Sequence, residues 1–370
     1  MFCIFSFASC GTTNYASGNT EYFIGATGPL TGSTAVYGVA VQRGAQIAID
    51  EINAAGGLNG VMLKFDMKDD QSTADDAATG YTALYESGMQ LSIGSVTSGS
   101  CKSFADRAAE DGVLLLTPSA SAAEVIATSD LAFRVCFGDP QQGTISANEL
   151  TKTYTKIGVI YDTSDTYSYG IYDAFEAEMT VLGKTKDTDY IVRTFDKDSN
   201  KDFSTQVANL ADAGCDVIYL PIYYTEAGLI AKAAADRGYN VPIFGNDGLD
   251  GISGQITEAD KVSAHITYTA PFDVASTDEK VVKFVQTYTE KYGEVPNQFA
   301  ADGYDAIYIL YNAMKAAGID DVTMSAADMS AKVKDVLTSS SFSYSGLTGN
   351  NMTWSEDGSC NKDALIITVQ

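Results

Sequence analysis

The stretch from Leu91 to Ala123, LSIGSVTSGSCKSFADRAAEDGVLLLTPSASAA, constrains the fold more than any other part of the chain. It reads as strand, small-residue turn, helix, strand, small-residue turn. Leu91–Gly94 is a short apolar run that stops at SVTSGS, and Val113–Thr117 is a second that stops at PSASA. Between them Phe104, Ala105, Ala108 and Ala109 stand at helical spacing. Such a unit sets two parallel strands side by side with both hydroxyl-rich turns at the same end, where an open α/β sheet binds ligands. A helix start there offers unpaired N–H groups and the positive end of a dipole, suited to an anion such as a carboxylate. Ordinary helix capping accounts for the same serines and threonines by itself, so the stretch implies a topology before it implies a site.

The rest of the chain repeats the pattern. Tyr22–Thr27 reads as the first strand, followed by the turn GPLTG and a helix from about Gly38 with Val39, Ala40, Ala45, Ile49 and Ile52 on its apolar stripe, ending at NAAGG. Val61–Lys68 is a second strand and DDQSTADDAATGYTALYES an acidic-capped helix. This β-α-β-α-β-α-β order implies a parallel sheet with right-handed crossovers. A second set restarts at KIGVIY (156–161), continues through strands at Tyr190–Phe195, Asp216–Ile222 and Pro242–Gly245, and resembles the first in order and length. Helical patterns at 278–292, from PNQFAADGYDAIYILYNAMKAAG, and at 325–337 come with no sheet of their own, so they are expected to cover the first lobe. The end, LTGNNMTWSEDGSCNKDALIITVQ, is two strand-like segments about a DG turn.

Composition narrows the function. In 370 residues, 45% hydrophobic and 19% charged, there is material for two α/β domains with full cores. A net charge of −25 repels phosphate backbones and argues against nucleic-acid binding. The single histidine, His265, opens the alternating run HITYTA and reads as a strand residue, which leaves His-based triad or metal chemistry without material. Six scattered cysteines make no CxxC, so a zinc site is not expected; Cys215 reads as a small buried residue. No GxSxG opens a helix after a strand and no GxGxxG follows the first strand. The first ten residues, MFCIFSFASC, are apolar and lead into the polar linker GTTNYASGNT, like the tail of a lipoprotein signal with Cys10 as the acylated residue. A basic n-region is missing and the apolar run is short, as a truncated start would give. No run reaches the roughly 18 apolar residues of a spanning helix, so membrane attachment is expected only through that lipid.

Taken in order, ATGPLTGSTAVYG, the helix to EINAAGGLNG, DDQS, IGSVTSGS, LLLTPSASA, FRVCFGDPQQG, IGVIYDTSDTYSYG, DFSTQV, and FGNDG followed by GYDAIYILYNAM resemble the substrate-binding proteins of branched-chain amino-acid ABC transporters, from about Glu21 to the C-terminus. The resemblance implies a type I periplasmic-binding fold: two doubly wound parallel-sheet α/β lobes joined by three hinge crossings. Expected boundaries are 1–20 for the signal and linker, 21–137 plus 271–342 for the first lobe, and 138–270 plus 343–370 for the second. By the same resemblance the ligand carboxylate meets Ser98 and the turn Ser119, Ala120 and Ser121, Tyr37 closes over the side chain, and Phe299 forms a wall. From the second lobe come Tyr169, one of Tyr223 and Tyr224, and Asp247, which meets the ligand ammonium. Some family members carry a disulfide at positions that match Ser72 and Thr97 here, so that bridge is absent.

The residue types suit these roles. Serine hydroxyls bind a carboxylate without burying an unpaired charge, Asp247 supplies one negative charge for one ammonium, and tyrosines give an apolar body with a polar tip. Tyr223 and Tyr224 are adjacent, so one is expected to face the cleft and the other to pack; the lesser alternatives are Asp247 in NDG as only a turn residue and Tyr37 as a surface turn aromatic. The expected function is capture of a free amino acid by hinge closure and delivery to an ABC permease, by a monomer without cofactor or enzymatic activity. A ligand-sensing receptor domain of the same fold, or a binder of an amide or an aromatic acid, is the alternative.

Overall fold

A computed structural model describes residues 13–257 and 265–369. The first sheet has the order β2-β1-β3-β4-β5, built from β1 (Tyr22–Gly28), β2 (Leu63–Asp69), β3 (Leu91–Ser92), β4 (Leu115–Thr117) and β5 (Ala132–Arg134), all parallel. Its helices are α1 (Ala35–Ala54), α2 (Ala74–Glu86), α3 (Ser98–Asp111) and the short α4 (Ala123–Ile126). Every residue of β1 is buried, the signature of a parallel strand covered on both faces. Alternate residues serve different cores: Tyr22, Ile24 and Ala26 pack with the apolar stripe of α1, while Phe23 packs with Tyr81 of α2 and Phe104 of α3.

The second sheet has the order β11-β10-β9-β8-β6-β7. Its strands are β6 (Ile157–Asp162), β7 (Tyr190–Phe195), β8 (Val217–Leu220), β9 (Ile243–Gly245), β10 (Ile266–Ala270) and β11 (Leu365–Thr368). Only β11 runs antiparallel, against β10. Around the sheet lie α5 (Asp139–Thr153), α6 (Thr166–Val181), α7 (Ser204–Asp212) and α8 (Tyr224–Arg237). His265, expected within a strand, stands just before β10 at φ 37°, where the chain turns into the strand.

The late helices α9 (Glu279–Tyr292), α10 (Gln298–Ala316) and α11 (Ala326–Leu337) return to the first lobe. Gln90 donates to the carbonyls of Val322 and Met324, and Ser330 of α11 accepts the N–H of Leu114 at 2.7 Å. α10 lies so close to α1 that a Cβ on Gly44 would stand 1.8 Å from the Ala300 carbonyl oxygen, and one on Gly303 would stand 2.5 Å from that of Val41. The chain passes between lobes three times: after β5, after β10, and between α11 and β11.

The third passage departs from expectation, which gave 343–370 to the second lobe. Residues 344–360 form two β-bridges, Tyr344 with Met352 and Trp354 with Cys360, and they pack on the first lobe. Asp305 of α10 accepts the N–H groups of Leu347 and Thr348 at 3.0 and 2.9 Å, and Trp354 Nε1 donates to the Arg134 carbonyl at 2.8 Å. A buried carboxylate that needs donors holds the segment there; only β11 joins the second sheet. Cys101, Cys136, Cys215 and Cys360 are buried and free. Cys10, the expected site of acylation, lies outside the described residues.

The α1–α10 contact yields a direct test. Gly44→Ala and Gly303→Ala each force two helix backbones apart, at an expected cost of about 1–3 kcal/mol. Urea denaturation followed by circular dichroism should show a lower midpoint for each; an unaltered midpoint would mean that the helices are not this close.

Candidate functional site

The two sheets turn their carboxyl ends toward each other, so the loops that leave those ends meet between the lobes. The first lobe contributes Val96, Thr97 and Ser98 after β3, Ser119 after β4, and Tyr37 in the first turn of α1; Phe299 comes from the start of α10. The second lobe contributes Tyr167 at the start of α6, Tyr223 just before α8, and Asp247 and Gly248 after β9. Together they bound a nearly filled cavity of only about 10 Å³. Aromatic rings fill most of the cleft: Tyr37 stacks on Phe299 with centroids 4.2 Å apart, and Tyr167 stacks on Tyr223 at 4.9 Å and 7°.

On the first-lobe side, Ser98 is the first residue of α3. Its hydroxyl oxygen accepts the Ala122 N–H at 3.2 Å, which leaves its proton available to an acceptor in the cleft. Ser119 also lines the cleft, but its hydroxyl already donates to the Val96 carbonyl at 2.8 Å. Ala120 and Ser121 lie behind the lining, contrary to expectation. The Ala120 N–H is committed to the Thr117 hydroxyl at 3.1 Å, and the Ser121 carbonyl takes the Arg134 guanidinium. The turn is wound around its own lobe, which uses the Ala120 N–H and the Ser121 carbonyl, and the Ser121 hydroxyl is buried there.

On the second-lobe side, Asp247 is buried, and desolvation pushes its carboxyl up to about 6 against the Tyr167 hydroxyl, which donates at 2.7 Å. Gln142 accepts its N–H at 3.2 Å, and Gln298 of α10 donates to its carbonyl at 2.5 Å. Tyr223 presents a buried hydroxyl with no hydrogen-bond partner. Tyr169, expected in the cleft, is 53% exposed. The cap decides this: Asp165 accepts the Ser168 N–H at 2.9 Å and starts α6. Two residues along a helix turn about 200°, so Tyr167 faces in and Tyr169 faces out. The capping Asp165 and the DTYSYG run carried the signal for that phase.

Tyr37 and Tyr224 join the lobes. The Tyr37 hydroxyl donates to the Gly248 carbonyl at 2.5 Å and accepts the Tyr224 N–H at 3.2 Å. The Tyr224 and Thr225 hydroxyls both donate to the Ser33 carbonyl, at 2.6 and 3.0 Å. Tyr223 thus faces the cavity while Tyr224 bridges its rim. Thr97, Val96, Tyr167 and Gly248 are lining residues that sequence reasoning did not name. Among the described residues no cluster of side chains could hold a metal, and no helix is long and apolar enough to cross a membrane.

Residues 21–370 match the family model described as periplasmic binding protein. The chain is 29% identical over 303 residues to the Leu/Ile/Val-binding protein BraC3 of Rhizobium johnstonii, covering 81% of this chain and 80% of that protein. It is 31% identical over 333 residues to Leu/Ile/Val-binding protein homolog 1 of Brucella abortus, covering 88% and 87%. Among solved structures, the branched-chain amino acid transporter substrate-binding protein LivJ of Streptococcus pneumoniae in complex with isoleucine superposes with a TM-score of 0.83, at 30% identity and 94% and 96% coverage. A solute-binding protein of Rhodopseudomonas palustris in complex with benzoate shares the fold, with a TM-score of 0.82 at 21% identity and 95% and 93% coverage. The chain belongs to the periplasmic binding proteins, the solute-binding components of ABC transporters, and is a binding protein rather than an enzyme.

Proposed function

We propose that this protein captures a free α-amino acid with an apolar side chain between its lobes and delivers it to an ABC permease. The observation that carries this reading is Asp247, a buried carboxyl walled by aromatic rings and facing the hydroxyl of Ser98 across the cleft. An ammonium leaving water needs such an acceptor, and a ligand carboxylate needs neutral donors such as Ser98 and the first N–H groups of α3. The ring-lined walls suit an aliphatic side chain, in keeping with relatives named Leu/Ile/Val-binding proteins and a neighbour holding isoleucine. An aromatic acid, which lacks the ammonium, would meet only repulsion at Asp247. Anchoring through Cys10 and a monomeric state belong to the same proposal.

The test is calorimetric titration of leucine, isoleucine and valine, and of their deaminated analogues, into wild type and Asp247→Asn. Loss of one partner of a buried charge pair costs about 2–5 kcal/mol, or about 30-fold to several thousand-fold in affinity. The loss should fall on the amino acids and spare the analogues. If Asp247→Asn binds all the amino acids as wild type does, or wild type prefers an analogue, the ligand is of another class.

The pH dependence has a definite sign. The ammonium pairs with the ionised carboxylate, and burial holds the free Asp247 at about 6. Amino-acid affinity is therefore level above that pH and falls below it, by up to about tenfold per unit. In Asp247→Asn this acid limb should vanish; a limb that persists belongs to another group.

Closure has its own test. Tyr37→Phe removes the bond to Gly248 and the acceptor for Tyr224 N–H, worth about 1 kcal/mol each. Small-angle scattering of the ligand-free variant should give a larger radius of gyration than wild type. Equal radii would show that the Tyr37 hydroxyl does not hold the lobes together.

A further inference from the structure

We propose that the open edge of β11 is a docking site at which an extended, cationic segment of a partner protein adds to the second sheet as a further strand. Two open cavities lie along this strand, apart from the space around Asp247. One of about 760 Å³ is bounded by Ile367, Thr368 and Val369 on one side and by Val36, Val274 and Val295 on the other. A second of about 650 Å³ begins at Leu365 and meets the first at the loop that holds Asp273 and Ala275, so the two adjoin each other beside β11 as one grooved face.

Three properties set this groove apart. The first is its open backbone. Among the described residues β11 ends the sheet order, and Val369 donates inward to the Ile266 carbonyl at 2.9 Å. The alternation of an antiparallel ladder then turns the N–H and C=O groups of Ile366 and Thr368 to the unpaired edge. The second is apolar exposure. Val36, Val274, Val295, Leu365 and Ile366 are five of the twelve large hydrophobic residues that are exposed among those described, and all five lie on β11 or on the groove wall. An exposed edge with apolar side chains is a template for another strand, and proteins normally blunt it with charge, yet Ala364–Gln370, ALIITVQ, carries none.

The third is charge. Asp273, Asp278 and Asp363 flank the groove. Of the cations that line it, Arg43 is paired with Glu294 at 3.0 Å and Lys362 is wholly buried. With −25 on the whole chain, a second copy is repelled at long range and a cationic segment is attracted. Main-chain pairing would supply affinity and the apolar groove wall would receive alternate side chains, the pattern of strand addition. Because Val36 belongs to the first lobe and β11 to the second, an occupant touches both.

The experiment titrates a fluorescent peptide of alternating lysine and valine, seven residues long, into the full-length protein by anisotropy, beside a peptide in which glutamate replaces lysine. Saturable binding of the lysine peptide is expected, with the glutamate peptide at least tenfold weaker and affinity falling as salt rises. Ile366→Pro removes an outward N–H and should weaken binding at least tenfold, as should methylation of the peptide's own backbone nitrogens. Asp273→Lys with Asp363→Lys, which leaves the strand intact, should weaken the lysine peptide and strengthen the glutamate one, so the result does not depend on Ile366→Pro folding. Equal binding of both peptides, indifference to backbone methylation, or a β11-dependent dimer in sedimentation of the protein alone would overturn the proposal.

Discussion

A carboxyl group taken out of water between two lobes sets the terms for the rest of the molecule. Asp247 is held by neutral partners only, the Tyr167 hydroxyl at its side chain, Gln142 at its N–H and Gln298 at its carbonyl. Three residues on, Asp250 accepts the Gln298 N–H at 2.7 Å and the Tyr268 hydroxyl at 3.2 Å, and burial pushes it too up to about 6. The short turn after β9 is thereby tied to α10, an element of the first lobe. Desolvation favours the neutral acid and a cationic ligand group favours the carboxylate, so binding and ionisation at Asp247 are linked.

Groups without hydrogen-bond partners gather around the same place. Ser121 Oγ, both oxygens of Asp139, Gln142 Nε2 and the Tyr223 hydroxyl are buried without one among the described residues. Most buried polar groups in folded proteins are paired, so their concentration at the facing ends of the sheets marks a region built for something besides stability. Asp139, at the start of α5 beside Gly170, is held well above the usual carboxylate range, chiefly by burial. At the third crossing the same physics appears with a counter-ion. Lys362 is buried 3.7 Å from Asp302 and donates to Thr348 at 2.7 Å, and burial pushes Asp302 up to about 8.

Closure rests on a small set of contacts between the lobes. The turn before α1 is braced from within its lobe, where Asp69 accepts from the Thr31 hydroxyl at 2.5 Å and the Thr34 and Ser72 hydroxyls lie 2.6 Å apart. A rigid turn can present Ser33 and Tyr37 to α8 and Gly248 without ordering itself at each closure. A few such bonds bias an equilibrium by a few kcal/mol at most, so ligand contacts at both lobes can still decide its position.

Local pattern determined the β-α order, the restart at Lys156 and the return of the late helices, because strand and helix periods and the carboxyl-end rule are properties of short segments; the gathering of Ser98, Tyr37, Asp247 and Phe299 was implied by the family resemblance of the motifs that carry them. What it left open were matters of phase and competition. Tyr167 and Tyr169 differ by two positions, and only the cap at Asp165 chooses between them. Ala120 looks like a donor to a ligand until the Thr117 hydroxyl is seen to take its N–H, and the Ser121 turn is held to its own lobe by Arg134 at its carbonyl. Residues 344–360 read as second-lobe strand until Asp305, 42 and 43 positions earlier, claims the N–H groups of Leu347 and Thr348. Each of these was settled by a particular side-chain contact, near in sequence at Thr117 and Asp165 and distant at Asp305, and a hydrogen-bond donor committed to such a contact leaves no mark on the period of its own segment.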